Sequence, residues 1–297
     1  GADGQDREVG IGLGVAQGGM VDTPDGDWYA FMFQDRGALG RAPVLMPMHF
    51  EDGFPIIGEN GKVPEVVTVL DTGYQYAAIN GSDDFFYKPD ENGQITLKNF
   101  WEFNHQQMDD FWSVTENPGH LRLHSAKLSP TLFQAYNTLT QRTVGPKCAA
   151  EVTLRFAHMK NGDVAGISTF IGNYGFTGVK KENDQFYLIM MGRPAKDTTV
   201  FGQFEYENPG LEYARVPIYG ESICLRAEAD FTDKRDLSSF YYKEGDNWQK
   251  LGIDQPMYFK MDLFTGCRFG LFYYSTEQTG GYVDFSKFQF IWPEYVY

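Results

Sequence analysis

Four carboxylates lie close together in the middle of the chain, at Glu102, Asp109, Asp110 and Glu116. Two carboxyl groups can act as a general acid and a general base when a fold holds them at a suitable distance. The same residue types are also common at solvent-facing positions of strands, where polar residues alternate with buried ones. We interpret these four acids as exposed polar residues rather than as an acid–base site.

Three further acids, Asp83, Asp84 and Asp284, are the residues that could hold a metal ion. Carboxylate oxygens suit calcium, so these three predict a structural calcium at an edge of the fold. The five histidines show no metal-ligand spacing beyond His120 and His124. Those two fall on one predicted strand, where residues four apart are separated by about 13 Å. The sequence therefore indicates no histidine metal site and no required cofactor.

Tryptophans are the third type of residue with a chemical use, because an indole ring can stack on the face of a sugar. Trp101, Trp112 and Trp248 are the candidates for such a contact, whereas Trp28 and Trp292 fit positions in a core or seam better. Aromatic residues make up 16% of the chain. Most aromatic rings in proteins fill the core, so core packing is the alternative for each of the three.

The charge of the chain limits its partners. Asp and Glu number 40 and Lys and Arg 25, so the formal charge is 25 − 40 = −15. A negative field repels phosphate backbones, which argues against nucleic acid and fits a neutral polysaccharide. No stretch approaches the roughly 18 apolar residues of a membrane span, and the three cysteines form no disulfide framework. The chain opens at Gly1 without Met, so we expect an upstream segment, and localisation, secreted or cytoplasmic, stays open.

The elements that must position these side chains are strands. Alternation with a period of two dominates the sequence, and amphipathic helical patterns are almost absent. Three strands are predicted before residue 60, at 27–34, 43–50 and 52–57. Ten more follow residue 80, at 119–124, 137–142, 149–156, 164–171, 175–181, 185–191, 222–230, 238–243, 266–274 and 282–290. So many closely spaced strands favour a sandwich or jelly roll.

The first part of the chain resembles a known enzyme family. Residues 17–29 (QGGMVDTPDGDWY) are similar to the last-blade signature of the β-xylosidases and α-L-arabinofuranosidases of glycoside hydrolase family 43. Motifs at family spacing follow, at 33–35 (FQD), 37–41 (GALGR), 50–55 (FEDGFP) and 61–64 (GKVP).

The second part resembles the C-terminal sandwich of the same enzymes. Its motifs lie at 101–105, 118–123, 137–143, 162–166, 178–181, 264–266 and 284–288. The resemblance implies an all-β fold: the last blade of a five-bladed β-propeller, then a concanavalin-like jelly-roll β-sandwich. It assigns residues 1–60 to the blade, 61–80 to a linker and 81–297 to the sandwich.

The function that the resemblance implies is hydrolysis of oligosaccharides from xylan or arabinoxylan, with inversion of the anomeric centre. Inversion uses two carboxylates roughly 6.5–9.5 Å apart. In the family these residues, with a further Asp, lie on the first three blades, and four more blades need about 200 residues. The resemblance therefore implies that this chain holds none of its own catalytic residues, and that N-terminal propeller blades are its partner.

The resemblance also implies three residues that contact substrate. Arg41 occupies the position of an arginine that reaches the hydroxyls of the terminal sugar, and its alternative is a blade-edge arginine paired with Asp35 or Asp52. Gln17 lies in the stretch that lines the propeller axis, or else satisfies a tight turn into a strand. Phe264 resembles a phenylalanine that narrows the mouth of the active site in some relatives, or else is a core residue.

Two functions thus remain open. The chain is either the C-terminal part of an exo-acting glycosidase, or a binding module whose sandwich holds xylan-like chains without chemistry. The sequence does not choose between β-xylosidase, α-L-arabinofuranosidase and arabinanase, because the residues that would shape the sugar pocket lie mostly elsewhere.

Overall fold

The protein is built from antiparallel β-strands. A computed structural model describes residues 14–69, 72–193, 207–258 and 265–292, and within them 19 strands form three sheets. The helical segments in these ranges are single 3₁₀ turns, at Gly37–Leu39, Asp109–Phe111, Leu132–Gln134 and Thr232–Lys234. No helix among the described residues has the length and apolar character that a membrane crossing would require.

The first sheet has four strands in sequential order, joined by short turns, which is the form of one propeller blade. Its strands are β1 (Val15–Asp22), β2 (Trp28–Asp35), β3 (Arg41–Glu51) and β4 (Phe54–Ile57). Asp52 and Gly53 form the tight turn into β4, with φ of +48° and +81°. The strand predicted at 52–57 therefore begins two residues later, at Phe54.

The remaining strands form the two sheets of a sandwich. One sheet has the order β13-β12-β11-β10-β18-β8-β5, and the other has the order β16-β15-β14-β9-β19-β7-β6, with β17 paired to β15. The strands are β5 (Glu102–Phe103), β6 (Trp112–Ser113), β7 (Leu121–His124), β8 (Leu139–Arg142), β9 (Lys147–Arg155), β10 (Asp163–Phe170), β11 (Gly175–Glu182), β12 (Gln185–Gly192), β13 (Leu211–Ile218), β14 (Ser222–Asp230), β15 (Leu237–Glu244), β16 (Asn247–Lys250), β17 (Gln255–Pro256), β18 (Arg268–Ser275) and β19 (Tyr282–Ile291).

The main core fills the space between these two sheets. Ile167 and Leu271 of one sheet and Val152, Leu225 and Phe285 of the other are at most 1% exposed and belong to one cluster of buried residues. Alternate side chains of each strand point inward, so the sheets bury their facing surfaces against each other. The predicted all-β sandwich is therefore confirmed.

A second apolar layer covers the outer face of the seven-stranded sheet. Phe176 and Phe272 pack there edge to face, with ring centroids 4.8 Å apart. The segment around Leu132 and Phe133 lies over them in the same buried cluster. This sheet is consequently buried on both faces, which explains the nearly continuous apolar character of β10–β12.

The segment between the blade and the sandwich contains few regular pairings. Residues 58–69 form an isolated bridge between Glu59 and Lys62, and Thr68 accepts a hydrogen bond from the Tyr29 hydroxyl of the blade at 3.3 Å. From Asp83 onward the chain belongs to the sandwich, because Asp83 exchanges two backbone hydrogen bonds with Phe288. The predicted domain boundaries at residues 60 and 80 stay predictions.

Candidate functional site

Arg41 stands at the first position of β3, directly across from Asp35 at the end of β2. Its Nε lies 3.1 Å from Asp35 Oδ1, and its guanidinium lies 4.1 Å from the centre of the Phe33 ring. The side chain is 20% exposed. The carboxylate and the ring together fix the plane of the guanidinium, which suits a group that orients a ligand by directed hydrogen bonds.

The turn before Arg41 is inserted into the sandwich. Ala38 is fully buried; its N–H donates to Asp236 Oδ2 at 2.9 Å, and its carbonyl accepts from the Cys267 N–H at 2.8 Å. Both partners belong to the sandwich. The central residue of the turn is therefore hydrogen-bonded to the sandwich through both its N–H and its carbonyl.

Two glycines allow this close approach. Gly40 and Gly266 have φ of +92° and +87°, a left-handed conformation that strains residues with a Cβ. A Cβ on Gly40 would lie 2.7 Å from the Gly266 Cα, and a Cβ on Gly266 would collide with the carbonyl oxygen of Leu39. Here the two backbones touch directly, so we call the contact between residues 36–40 and the sandwich the joint.

A cavity of about 270 Å³ opens beside the joint. Arg268 and Glu102 form an ion pair of 2.5 Å across its wall. The side-chain nitrogen of Asn104 is buried there and has no hydrogen-bond partner among the described residues. The lining comprises Glu102, Phe103, Asn104, Phe133, Thr140, Phe170, Ile171, Thr265, Gly266 and Arg268. It thus combines an ion pair, an amide and hydroxyl groups with aromatic rings, as ligand-binding pockets do.

A larger cavity of about 440 Å³ shares Phe133 with the first. The Asn137 side chain donates to the Met108 carbonyl at 3.0 Å and accepts from the Met108 N–H at 2.8 Å. A His105 ring nitrogen lies 2.5 Å from the Phe133 carbonyl oxygen. These contacts fix the lining segment 105–108 at both of its ends. Lys127 lies 4.2 Å from the centre of the Tyr136 ring. This wall is preformed, polar and aromatic.

Gln17 is the extra residue of a β-bulge in β1. The register with β2 shifts between Ala16 and Gly18, and Gln17 has φ of +40° with an exposed side chain. A bulge re-aims one side chain of an edge strand, so this geometry accommodates both the predicted ligand contact and the tight-turn alternative. Phe264, the third residue implied by the resemblance, lies outside the described residues.

The three tryptophans have different environments. Trp101 is 7% exposed, packs between Phe85 and Phe288, and donates to Asp83 Oδ2 at 2.8 Å. The predicted sugar contact is corrected here to a core role, because neither ring face is open.

Trp112 and Trp248 are half-buried at the two opposite edges of the eight-stranded sheet, on β6 and β16. Six strand spacings separate them, about 29 Å. Trp112 packs on Phe103 at 5.0 Å, and Trp248 has Arg226 5.7 Å from its ring centre. They cannot contact the same sugar ring, and their role in binding stays a prediction.

The structure does not bring the three predicted calcium ligands together. Asp83 accepts hydrogen bonds from Trp101 and Tyr87 and pairs with Lys98 at 3.1 Å. Asp284 is bound by Arg122 at 2.7 Å. Asp84 accepts from the Phe86 N–H. In the described ranges no group of three His, Cys, Asp or Glu could hold a metal ion, so this geometry does not support a calcium at these residues.

The four central acids are separated in the same way. Glu102 pairs with Arg268 on the seven-stranded sheet, whereas Glu116 pairs with Arg122 and His124 on the other sheet. Asp109 accepts from Gln107 at 2.6 Å. Their interpretation as polar surface residues fits this arrangement.

Asp236 is the residue of the joint that the sequence did not single out. It follows Thr232, Asp233, Lys234 and Arg235, a polar run that predicts a solvated turn. In the structure it is 8% exposed, and burial raises the pKa of its carboxyl group despite the opposing hydrogen bond from Ala38. No signal in the sequence distinguishes it from an exposed acid.

A four-stranded blade, a two-sheet β-sandwich and a joint between them together define a class of all-β proteins with two parts. Residues 90–291 match the family described as "Beta xylosidase C-terminal Concanavalin A-like domain", of glycoside hydrolase family 43. The chain belongs to this family, as the C-terminal part of a family 43 protein.

Relatives extend the match beyond the sandwich. A "Beta-xylosidase" of Formosa agariphila is 27% identical over 93% of this chain and 48% of its own length. The solved structure of a bifunctional GH43-CE protein of Bacteroides eggerthii is 38% identical with a TM-score of 0.80, over 94% of this chain and 34% of the other.

A GH43 glycoside hydrolase, described as engineered to display endo-xylanase and exo-arabinofuranosidase activity, is 28% identical with a TM-score of 0.80. That match covers 93% of this chain and 54% of the other. The chain thus spans about half or less of the length of these relatives. The family and the fold implied by the sequence motifs are confirmed.

Proposed function

We propose that the complete protein is an exo-acting, inverting glycosidase, a β-xylosidase or α-L-arabinofuranosidase that acts on oligosaccharides from xylan or arabinoxylan. Membership of family 43 and the names of the relatives support hydrolysis of such substrates. In this proposal the described chain supplies the last blade and the wall of the active site, and upstream blades supply the catalytic Asp, Asp and Glu.

The contact between blade and sandwich at the joint is the main observation that supports this proposal. The turn bearing Arg41 is bound by the sandwich through Ala38, and Gly266 lies both in this contact and in the wall of the adjacent cavity. A sugar held by Arg41 would lie where blade and sandwich meet. The sandwich would then limit the space around the chain end, which favours cleavage of terminal residues.

The blade also presents apolar surface of the kind that further blades would cover. Met20, Phe31 and Phe54 are 55%, 54% and 73% exposed. Exposed apolar side chains, and an edge of β1 that no other described strand covers, are typical of a surface that packs against a partner. We propose the N-terminal propeller blades as that partner.

The proposal is tested by comparing this chain with the full-length protein. The 297-residue chain should show no appreciable hydrolysis of aryl β-xyloside or aryl α-L-arabinofuranoside, and the full-length protein should hydrolyse at least one. Proton transfer to the leaving group and activation of water are each worth about 10²–10⁴-fold, and the chain would lack both. Turnover by the chain alone, abolished by Glu102→Gln or Glu116→Gln, would place the catalytic site in the sandwich instead.

Arg41 provides a second test in the full-length enzyme. Arg41→Ala should lower kcat/KM by roughly 2–4 kcal/mol of transition-state stabilisation, because charge-assisted hydrogen bonds to sugar hydroxyls are lost. Arg36→Ala in the same turn is the matched control, since the Arg36 side chain is exposed and should leave the rate unchanged. An unchanged rate in Arg41→Ala would remove this arginine from the site.

A binding module without chemistry is the second candidate, and the 440 Å³ cavity favours it. The preformed polar and aromatic wall around Tyr136 and Lys127 lies on the sandwich alone. Calorimetric titration of the 297-residue chain with xylo-oligosaccharides distinguishes the two functions when the full-length protein is assayed beside it. Binding that is lost in Tyr136→Ala, together with an inactive full-length protein, would establish the module. An active full-length protein would establish the enzyme.

A further inference from the structure

We propose that Asp236 of the sandwich is a positioning residue for Arg41: its buried carboxylate fixes the turn from which Arg41 reaches the sugar. The inference rests on the proposed function, since it assigns to the sandwich a direct part in aligning the sugar-binding group of the blade.

The position of Asp236 is itself fixed from two directions. Its carbonyl accepts a hydrogen bond from the Met257 N–H at 2.6 Å, and its neighbour Leu237 begins β15, which pairs with β14 in the eight-stranded sheet. With φ of +46°, Asp236 adopts a left-handed backbone conformation that is uncommon for a residue with a Cβ. This conformation is consistent with a side chain turned away from solvent and toward the blade.

The carboxylate acts on Ala38, three residues before Arg41. The Ala38 N–H donates to Asp236 while the Ala38 carbonyl accepts from Cys267, so neither of the two peptide units that flank Ala38 can rotate or shift without losing a hydrogen bond. The Arg36 N–H donates to the Gly40 carbonyl at 2.9 Å, which closes the turn. Arg41 follows at once, at a fixed start of β3.

The burial of the Asp236 carboxylate costs more folding free energy than a purely structural contact would require. Burial raises the pKa of the Asp236 carboxyl group, and no Lys or Arg pairs with it in the part of the chain that the structure describes. The adjacent Arg235 is directed instead to Asp230, at 3.7 Å. A buried carboxylate without a cation normally destabilises a fold. Such local costs tend to be kept at sites where they serve function.

The contact between Asp236 and the blade also leaves no space for a side chain at residue 37. Gly37, with φ of +61°, lies so close to Asp236 that a Cβ at this position would collide with the carboxylate oxygen. The blade therefore leaves room at residue 37 for this one side chain. Asp236 and Gly37 can be altered separately, which gives two independent variants of the same contact.

The test in the full-length enzyme is a double-mutant cycle between Asp236 and Arg41. Asp236→Ala should lower kcat/KM about tenfold, the effect of one misplaced hydrogen-bonding group. Asp236→Asn keeps an acceptor for Ala38 and should restore most of that loss. In an Arg41→Ala background, Asp236→Ala should have no further effect. An equal loss in both backgrounds would show that Asp236 does not act through Arg41, and the proposal would be overturned.

Hydrogen exchange of the 297-residue chain tests the geometry independently of any activity. The amide of Ala38 should exchange faster in Asp236→Ala but not in Asp236→Asn. Asp233→Ala is the matched control, since Asp233 is an exposed acid three residues earlier. If Asp236→Ala does not fold, Gly37→Ala displaces the carboxylate from the other side and should give the same faster exchange.

Failure of the proposed function and failure of the inference about Asp236 give different results in these experiments. If the full-length wild type hydrolyses no xyloside or arabinofuranoside, the proposed function fails, while exchange at Ala38 still reports on the joint. If exchange at Ala38 is unchanged in both Asp236→Ala and Gly37→Ala, Asp236 does not hold the turn and this inference is overturned even in an active enzyme.

Discussion

The blade and the sandwich bury their apolar residues to very different extents. In the sandwich, Leu271 and Phe285 are fully buried between two sheets, and Phe272 is fully buried on the outer side. In the blade the buried apolar cluster consists of Ala30, Met46 and Met48, with partly buried side chains around it. Large side chains such as Phe54, at 73% exposure, remain on its surface.

The two parts therefore owe their stability to different contacts. A two-sheet sandwich closes its own core, whereas a single four-stranded sheet has two faces and no second layer of its own. Among the described residues, the blade is held to the sandwich at the joint by hydrogen bonds and by direct backbone contact, rather than by a large shared apolar core. Its own apolar faces are therefore the part of the molecule most dependent on neighbours.

The largest expected effect is a loss of core packing in the sandwich. Phe285→Ala should lower the free energy of unfolding by about 3–5 kcal/mol, because it removes a fully buried ring and leaves a cavity. Phe31→Ala in the blade is the matched control, and at 54% exposure it should change the value by about 0.5 kcal/mol or less. Urea denaturation of the chain measures both. A similar cost for the two variants would mean that the blade is as tightly packed as the sandwich.

An intermediate effect is expected from two Arg–Asp pairs, one in each part. In the sandwich, Arg122 donates two hydrogen bonds to Asp284, of 2.7 and 2.8 Å. The two side chains are 18% and 7% exposed. In the blade, Arg41 Nε lies 3.1 Å from Asp35 Oδ1, with exposures of 20% and 17%. Double-mutant cycles should give a coupling energy of about 1–3 kcal/mol for the first pair and about 1 kcal/mol or less for the second.

The reverse order of the two coupling energies would contradict the view that the sandwich contains the better-formed polar contacts. The bidentate geometry is the reason for the expected order, since two parallel hydrogen bonds to one carboxylate are stronger than one.

The smallest effect concerns pH. Burial alone would raise the pKa of Asp284, but hydrogen bonds from Arg122 and Asn117 outweigh it, so the pKa is lowered. A lowered folded-state pKa contributes stability that is complete above the unfolded value of about 3.9, and is lost as the pH falls through the folded value. Asp284→Asn should therefore make the unfolding free energy less dependent on pH below about 4. Denaturation curves measured between pH 3 and 6 check this. If the carboxylate contributes nothing, the unfolding free energy of the variant will change with pH at the same rate as that of the wild type.

Much of the fold was predictable because its strands carry clear apolar patterns, alternating in some strands and nearly continuous in others. The strands predicted at 164–171, 185–191 and 222–230 agree with β10, β12 and β14 within a residue or two, since half-buried and fully buried strands both carry clear apolar signals. β13, at Leu211–Ile218, was missed. It is an edge strand with exposed polar positions and Pro217, which the free edge tolerates and a central strand would not.

The candidate site was predictable only from sequence motifs that resemble the family, and not in its contacts. The motif at 37–41 pointed to Arg41, but nothing near residue 236 indicated that an acid in a charged turn would be buried against Ala38. The core role of Trp101 was equally hidden, because its partners Asp83 and Phe288 are distant in sequence. Burial of single residues depends on such long-range packing, which alternation does not encode.

The covered outer face of the seven-stranded sheet has a consequence for how a polymer could approach the molecule. Phe133 and its neighbours cover the outer face of this sheet. Under the proposed function, a polysaccharide is expected to meet this side end-on, where the 270 and 440 Å³ cavities adjoin at Phe133. Engineering a flat, lectin-like binding surface on this sheet would first require removing and replacing the apolar layer. Exchanging the loops that line the two cavities would leave that layer intact.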